Sequence, residues 1–265
     1  MTDRLWNKTE TYKCTRLVSR KKQHRKIQIV SATMMPVQAI LRGFYTTTVV
    51  NIITWNKAYA IFPDCTFLKR KTYMLKPLDD WLGSQLSKYS KRGWPTLETQ
   101  WIEDQRFSNS LQDRAQRRAG DSKTWIIALD TDGVEMPTTP DSVIEYSCFS
   151  IVKESTQGSQ SNFDERSYYH INAALFSACV IPYKYTYAGY EDFWANHLGS
   201  RLDNLTKIEL MKLSLDERPD AFRNPRGNIT YREHDAEINK PSTWVYYDDQ
   251  VLQWYKYWED NCKRQ

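Results

Sequence analysis

Hydrophobic residues recur at helical spacing in three segments of the chain. In the first segment, Pro77 precedes the apolar positions and Gly93 follows them, and both are usual signals of a helix boundary. This pattern predicts a helix over residues 77–92. The same spacing predicts a helix over residues 190–198 and a closing amphipathic helix over residues 251–262.

Short runs of β-branched, aromatic and apolar residues predict strands between these helices. The predicted strands are 27–30, 46–53, 124–129, 142–152, two or three within 167–187, and 244–247. Residues 109–119 are predicted as a short polar helix, 155–165 and 216–243 as loops, and 201–213 as either helix or strand. Because strands and helices are grouped in separate stretches, we expect an α+β fold, with a mostly antiparallel sheet and helices packed on one face.

The charge of the chain is concentrated at its N-terminus. Residues 1–26 contain nine basic and two acidic side chains, whereas residues 27–265 contain 28 basic and 30 acidic ones. The net charges are therefore +7 and −2. We predict a basic, partly disordered extension over residues 1–54 and a single α+β domain over residues 55–265. The strand-like runs within 27–53 leave open whether that segment belongs to the fold.

The densest part of this charge is the run at residues 20–26, and the range considered for nucleic-acid association is 16–26. Basic runs bind nucleic-acid phosphates or direct nuclear import, and an Arg-rich, acid-poor N-terminus is also typical of a mitochondrial transit peptide. A third interpretation is a solvated terminus without a specific partner. The residues of the predicted nucleic-acid or import patch are Arg20, Lys21, Lys22, Arg25 and Lys26.

Composition excludes several classes of protein. The 10 Trp, 17 Tyr and 9 Phe exclude a wholly disordered chain, and no uncharged apolar stretch is long enough to span a membrane. The five cysteines are widely spaced and form no C-x-x-C pair, so we expect buried thiols instead of disulfides or a zinc site. Without an apolar leader, we predict a cytoplasmic or nuclear protein, with the mitochondrion as the alternative.

The run Asp130-Thr131-Asp132-Gly133 follows a predicted strand and offers the chemistry of a Mg²⁺ site. It is similar to the nucleophile motif of haloacid-dehalogenase-type phosphatases. The resemblance implies that Asp130 attacks phosphate and that Asp132 handles the proton. In the same resemblance, Asp248 and Asp249 match the metal-binding acids late in the sequence. The alternative is a tight turn, in which Asp and Gly supply the required backbone geometry.

The run Tyr246-Tyr247-Asp248-Asp249 resembles the Tyr-x-Asp-Asp box of reverse transcriptases. This resemblance implies two metal ions, held together with an upstream carboxylate such as Asp130. The alternative is that Asp248 caps the last helix and that Asp249 adds negative charge to its first turn. The sequence favours the cap, so we expect no cofactor, with Mg²⁺ as the alternative.

Aromatic residues supply the last set of candidates. Tyr183, Tyr185 and Tyr187 alternate at strand spacing, and Trp254 and Trp258 share a helical face. We expect a role in the core first, in a protein interface second and in nucleic-acid stacking third.

Without a recognisable catalytic motif, we predict a non-enzymatic intracellular protein that binds another macromolecule, with a protein as the expected partner, through an aromatic-rich surface. One alternative is a Mg²⁺-dependent phosphoryl-transfer or hydrolytic enzyme that uses the acidic pairs. The other is nucleic-acid association through the basic tail.

Overall fold

The computed structural model describes residues 13–18, 26–31, 34–77, 80–98, 116–155, 167–189, 193–219, 223 and 238–261. In these ranges the chain forms helices and mainly antiparallel sheets, which confirms the predicted α+β class.

The described residues form five α-helices, one 3₁₀ turn and one π-helical turn. The helices are α1 (Pro36–Gly43), α2 (Asp80–Ser90), α3 (Ser142–Glu145), α4 (Phe193–Met211) and α5 (Asp248–Asn261), with the 3₁₀ turn at Thr47–Val49 and the π-helical turn at Asp64–Leu68. The strands are β1 (Lys13–Val18), β2 (Lys26–Ser31), β3 (Asn51–Ile53), β4 (Lys57–Ala60), β5 (Thr72–Tyr73), β6 (Thr96–Glu98), β7 (Gln116–Arg118), β8 (Trp125–Ala128), β9 (Cys148–Ser155), β10 (Ser167–Asn172), β11 (Ala174–Phe176) and β12 (Tyr185–Tyr187).

The described strands pair in several small sheets, and the sequence did not predict this division. β1 pairs with β2 and β11 with β12, while β3-β4-β8 and β10-β9-β7 form three-stranded sheets; all of these pairings are antiparallel. β5 and β6 pair in parallel. Antiparallel strands can expose one or both faces to solvent, which matters for β8 below.

One hydrophobic core packs α1 against β3 and β4. Val37 and Leu41 of α1, Ile52 of β3 and Tyr59 of β4 are all buried there. Ile52 and Tyr59 lie opposite each other, so their side chains are on the same face of the β3-β4-β8 sheet. That face packs against this core. The other face of that sheet points away from it.

This core corrects the predicted boundary at residue 54. The helical face of residues 36–43 and the strand at 51–53 bury apolar side chains, so they are part of the packed fold and not of an extension over residues 1–54. The side-chain amide of Gln38 also donates a hydrogen bond to the carbonyl oxygen of Ala173 at 2.9 Å. The other part of that prediction, a single domain over residues 55–265, stays a prediction.

A second core lies between α4, α5 and β12 and is rich in aromatic rings. The Trp194 ring is 4.9 Å from that of Tyr255 and 5.8 Å from that of Trp258, centroid to centroid. Tyr185 and Trp194 border a small cavity with room for about one water molecule. We call the set Tyr146, Tyr185, Trp194, Tyr255 and Trp258 the aromatic core.

Most predicted elements are present. The helices predicted at 77–92, 190–198 and 251–262 correspond to α2, α4 and α5, and residues 201–211 continue α4. The strand predicted at 124–129 is β8, and the strands within 167–187 are β10, β11 and β12. The predicted loop at 155–165 and much of the one at 216–243 lie outside the described residues.

Four local predictions are wrong in whole or in part. The strand predicted at 46–53 is a strand only at Asn51–Ile53, because Thr47–Val49 form a 3₁₀ turn. Residues 116–118 form β7 instead of helix, and the rest of the predicted 109–119 helix lies outside the described residues. The strand predicted at 142–152 begins as the short helix α3, because Pro140 and Asp141 start a helical turn. Residues 244–247 pair with no described strand; the Tyr247 N–H donates to the carbonyl oxygen of Val180, and the Trp244 N–H donates to that of Pro241.

Candidate functional site

β8 lies at the edge of the β3-β4-β8 sheet. Among the described residues it pairs only with β4, so its other side has no strand partner there. All of its residues, Trp125 to Ala128, are exposed. Native proteins usually protect such an edge with charge, proline or a bulge, and β8 contains no charged residue and no proline. We call this unpaired side of β8 the open edge.

The hydrogen-bond pattern shows which residues face the open edge. The N–H of Leu129 donates to the carbonyl oxygen of Asn56 at 2.8 Å, so the main chain of Leu129 faces β4. Main-chain groups alternate in direction along an antiparallel strand, so those of Ile127 also face β4. The N–H and C=O groups of Ile126 and Ala128 therefore point outward and are available to a further strand.

One face of this sheet is apolar and exposed. Ile53, Ala58 and Ile127 lie in one row across the three strands. The exposed fraction is 78% for Ile53, 55% for Ile127 and 42% for Trp125, while Phe67 stacks on Trp125 with ring centroids 6.0 Å apart. The exposed apolar face consists of Ile53, Phe67, Trp125, Ile127 and Leu129.

A partly buried ion pair fixes the chain just before β8. The guanidinium of Arg117 binds both carboxylate oxygens of Asp121, at 2.5 and 3.0 Å, and donates to the carbonyl oxygen of Ile61. Burial raises the pKa of Asp121, but the hydrogen bonds and charge of Arg117 outweigh it and hold that pKa below its usual value. Asp121 also accepts a hydrogen bond from the hydroxyl of Thr124 at 3.2 Å. The start of β8 is thereby anchored.

A second polar cluster fixes the other end of the β4–β8 pair. The Lys57 ammonium lies 2.8 Å from Asp141 Oδ2 and 2.8 Å from Glu145 Oε1, and the Asn56 amide donates to Asp141 at 2.7 Å. The hydrogen bonds that the Lys57 ammonium donates to Asp141 and Glu145 raise the pKa of Lys57. Both ends of the edge strand are therefore held in place while its outer side stays uncovered by the described chain.

The Asp130–Gly133 run forms the predicted turn. The N–H of Asp132 donates to Asp130 Oδ1 at 3.1 Å, and the N–H of Val134 donates to the carbonyl oxygen of Thr131 at 3.0 Å. Gly133 has a φ of +71°, a conformation that other residues rarely adopt. Both aspartates are exposed on this turn.

Asp248 and Asp249 both lie in the first turn of α5. Asp248 Oδ1 accepts hydrogen bonds from the hydroxyl of Tyr185 at 3.1 Å and from the N–H of Tyr183 at 3.4 Å. Burial raises the pKa of Asp248 to about 6 despite these hydrogen bonds, and its Oδ2 atom has no hydrogen-bond partner in the described structure. Asp248 thus ties α5 to the chain around β12, whereas Asp249 is exposed.

The described residues contain no group of three or more His, Cys, Asp or Glu side chains arranged to hold a metal ion. Cys65, Cys148 and Cys179 are free and buried, which agrees with the buried thiols expected from the sequence. No observation on the described chain thus adds support to a Mg²⁺-dependent reaction at the acidic pairs.

The predicted aromatic candidates lie in or against the aromatic core. Tyr185 and Trp258 are buried, and Tyr183, Tyr187 and Trp254 are half-buried and pack against the same cluster. These rings are used mainly to pack α4 and α5, which agrees with the first of the three roles expected for them. Trp125, by contrast, is exposed, as are Phe67, Tyr246 and Tyr257.

The basic candidates fall mostly outside the described residues. Arg20, Lys21, Lys22 and Arg25 lie outside them, while Lys26 begins β2. β1 and β2 pair with Val18 opposite Lys26, so the run at 19–25 connects two paired strands.

Sequence reasoning identified β8 as a strand but not as a site. A run that is apolar on both faces is typical of a strand that other elements cover on both sides. The apolar pattern of β8 therefore predicts a covered strand and gives no indication that its edge is exposed. The only local signal is the charge at the ends of the run, where Lys123 precedes Trp125 and Asp130 follows Leu129.

Comparisons with protein-family models, with curated proteins and with solved structures gave no match to this chain. In the part of the chain that the structure describes, no helix combines the length and the apolar character needed to cross a bilayer.

Proposed function

We propose that this protein works by binding another protein chain, which adds a strand to the open edge of β8. The observation that carries the proposal is a strand of large apolar residues with outward-pointing main-chain groups and no described partner on that side. Strand addition is a recurring mode of peptide recognition, in which main-chain hydrogen bonds supply affinity.

The exposed apolar face supplies the second part of such recognition. In strand addition, alternate side chains of the partner lie beside alternate side chains of the edge strand, and these contacts select the partner. Trp125 and Ile127 lie next to the open edge, and Ile53 extends the same face two strands away. A partner strand with apolar residues at every second position therefore fits this surface.

The test uses synthetic ten-residue peptides that alternate apolar and polar residues, each with a fluorescent label. We expect them to bind the full chain, as followed by fluorescence anisotropy. In the Ala128→Pro variant the outward N–H of residue 128 is lost while the bonds of Ile127 and Leu129 to β4 remain. Binding is expected to be lost in that variant.

Ala128→Ser is the control, because it changes the same side chain and keeps the N–H. It is expected to bind the peptides like the unmodified protein. Circular dichroism verifies that both variants are folded. The proposal is contradicted if no alternating peptide binds the unmodified chain at concentrations where the chain is monomeric, or if folded Ala128→Pro binds as well as Ala128→Ser.

The second candidate function is nucleic-acid association through residues 16–26. The observation that favours it is the net charge of +7 over residues 1–26, with five basic side chains between residues 20 and 26. Replacing Lys21 and Lys22 with Gln is expected to weaken binding to duplex DNA and to lower the slope of log K against log salt by about 1 for each lost phosphate contact. An unchanged slope would exclude this role for the run.

A further inference from the structure

We infer that the partner at the open edge is a second copy of this chain, with β8 pairing antiparallel to β8 of that copy across a two-fold axis. The inference rests on the proposed function, because it names the occupant of the same edge. It follows from the direction of the main-chain groups, from the side chains of the exposed apolar face and from the charges at the two ends of β8.

The main-chain groups fix the register. Ile126 and Ala128 point outward, so both must form hydrogen-bonded pairs with the new strand. If Ile126 of one copy lies opposite Ala128 of the other, both requirements are met on each side of the axis. Ile127 then lies on the axis, opposite Ile127 of the second copy, as a non-hydrogen-bonded pair.

In this register the side chains are complementary. Residues directly opposite each other in an antiparallel pair have their side chains on the same face. Trp125 therefore lies opposite Leu129 of the second copy, and Ile127 lies opposite Ile127. The exposed apolar face becomes continuous across a sheet with strand order β3-β4-β8-β8-β4-β3, and apolar area is removed from water along the whole seam.

The charges at the ends of β8 favour an antiparallel arrangement. Lys123 precedes the strand, and Asp130 and Asp132 follow it. In an antiparallel pair the lysine end of one copy meets the aspartate end of the other, so opposite charges come together at both ends. A parallel pair would bring like charges together, which costs free energy.

A two-fold pair also removes the hazard of an unprotected edge. An exposed apolar edge strand can recruit further chains without limit. When the edge pairs with itself across a two-fold axis, the contact is closed and neither copy keeps that edge free. The absence of charge and proline within β8 is therefore compatible with a protein that stays soluble as a pair.

The first test places a positive charge on the two-fold axis in one variant and a negative charge there in another, both at Ile127. We expect the unmodified chain to form dimers in sedimentation velocity experiments over a concentration series. Ile127→Lys and Ile127→Glu are each expected to raise the dissociation constant at least about 10-fold, because like charges then face each other on the axis. An equimolar mixture of the two variants is expected to restore the dimer as a heterodimer.

Ile53→Lys is the control, because Ile53 is exposed on the same face but lies two strands away from the seam. It is expected to leave the dissociation constant unchanged. The inference is overturned if Ile127→Lys dimerises as strongly as Ile53→Lys, or if the mixture of the two charged variants stays monomeric.

A second test measures the register. The Cα atoms of a non-hydrogen-bonded antiparallel pair lie about 4.5 Å apart, within the range that a disulfide bridges. Ile127→Cys is therefore expected to form a disulfide-linked dimer under oxidising conditions, whereas Leu129→Cys is not. Cross-linking of Leu129→Cys in place of Ile127→Cys would overturn the register.

These experiments separate this inference from the proposed function. If the unmodified chain is monomeric at every concentration but binds alternating peptides in a way that Ala128→Pro removes, the second copy is excluded and strand addition by a different partner stands. If the chain neither dimerises nor binds such peptides, both proposals are wrong.

Discussion

The aromatic core and the exposed apolar face are built from similar residues but differ in what covers them. Trp194 is 4% exposed and contacts Tyr255 and Trp258, which α5 places over it. Trp125 is 42% exposed, and Phe67 stacks on one side of it. The two regions therefore differ not in the kind of residue but in whether a second packed layer of the described chain covers the rings.

Polar anchors explain why one region is closed and the other is open. Glu209 of α4 is fully buried, and it accepts hydrogen bonds from the Tyr247 hydroxyl at 2.9 Å and the Val245 N–H at 3.2 Å. These bonds hold the segment that leads into α5, so α5 covers Trp194. At the sheet, the Arg117 and Lys57 clusters fix the ends of β8 but place no described element over its outer face.

The largest expected effect is that of Trp194→Ala. Removing this ring from the aromatic core leaves a cavity, and the free energy of unfolding is expected to fall by about 3–5 kcal/mol. Trp125→Ala is the control, since it removes the same side chain from an exposed position, and its cost in the monomer is expected to stay below about 1 kcal/mol. Urea unfolding measures both values, and equal losses would contradict the distinction between the two regions.

Glu209→Ala tests what closes the aromatic core. The substitution leaves the Val245 N–H and Tyr247 hydroxyl without their acceptor and frees the ammonium of Lys212, which lies 2.7 Å from Glu209. The free energy of unfolding is expected to fall by about 2–3 kcal/mol. Glu135→Ala, at an exposed glutamate, is expected to change it by less than about 0.5 kcal/mol. Similar values for both variants would show that Glu209 does not hold the segment before α5.

Asp248→Asn tests the pH response of the closed region. Burial raises the pKa of Asp248 to about 6, above the ordinary value of 3.8, so the folded state binds this proton more tightly than the unfolded state. The contribution of this group to stability is therefore complete below about pH 4 and is lost as the pH rises through about 6. From pH 7 to pH 4, the unmodified chain is expected to gain about 1–2 kcal/mol relative to the variant, after allowance for partial solvent screening.

Urea unfolding of both proteins over this pH series isolates the contribution of Asp248, because other titrating groups affect both proteins alike. His197, for example, has its pKa lowered by burial and by Arg201, and it contributes with the opposite sign. A stability difference that does not change with pH would contradict the assignment to Asp248.

Periodicity and boundary residues were sufficient to predict most local elements. The helical spacing of apolar residues predicted α2 and α5, and Pro77 and Gly93 closely bracket α2. The turn at Asp130–Gly133 also followed from residue type, because Asp and Gly are suited to turn geometry whatever the distant contacts. These features depend on neighbours in the sequence, so one sequence is enough to infer them.

The position of each element in the fold could not be inferred in the same way. β8 is an edge strand because, among the described residues, it pairs with β4 alone. The residues of β4, 57–60, lie far away in the sequence, so the amino acids of β8 do not indicate this pairing. The packing of residues 36–53 depends likewise on contacts such as that of Gln38 with Ala173. The candidate site was missed for this reason, although its strand was predicted correctly.

The smallest expected effect on the free energy of unfolding is that of Ile53→Ala. Ile52→Ala is the matched comparison, because Ile52 is the preceding residue of the same strand. Ile52 faces the core and is buried, whereas Ile53 faces the exposed apolar face and is 78% exposed. Ile52→Ala is expected to lower the free energy of unfolding by about 2–4 kcal/mol, and Ile53→Ala to change it by less than about 0.5 kcal/mol. Urea unfolding of the two variants at a concentration where the chain is monomeric checks both values. A loss of more than about 1 kcal/mol for Ile53→Ala would mean that this side chain is covered within a single chain, and the exposed apolar face would then not extend to β3.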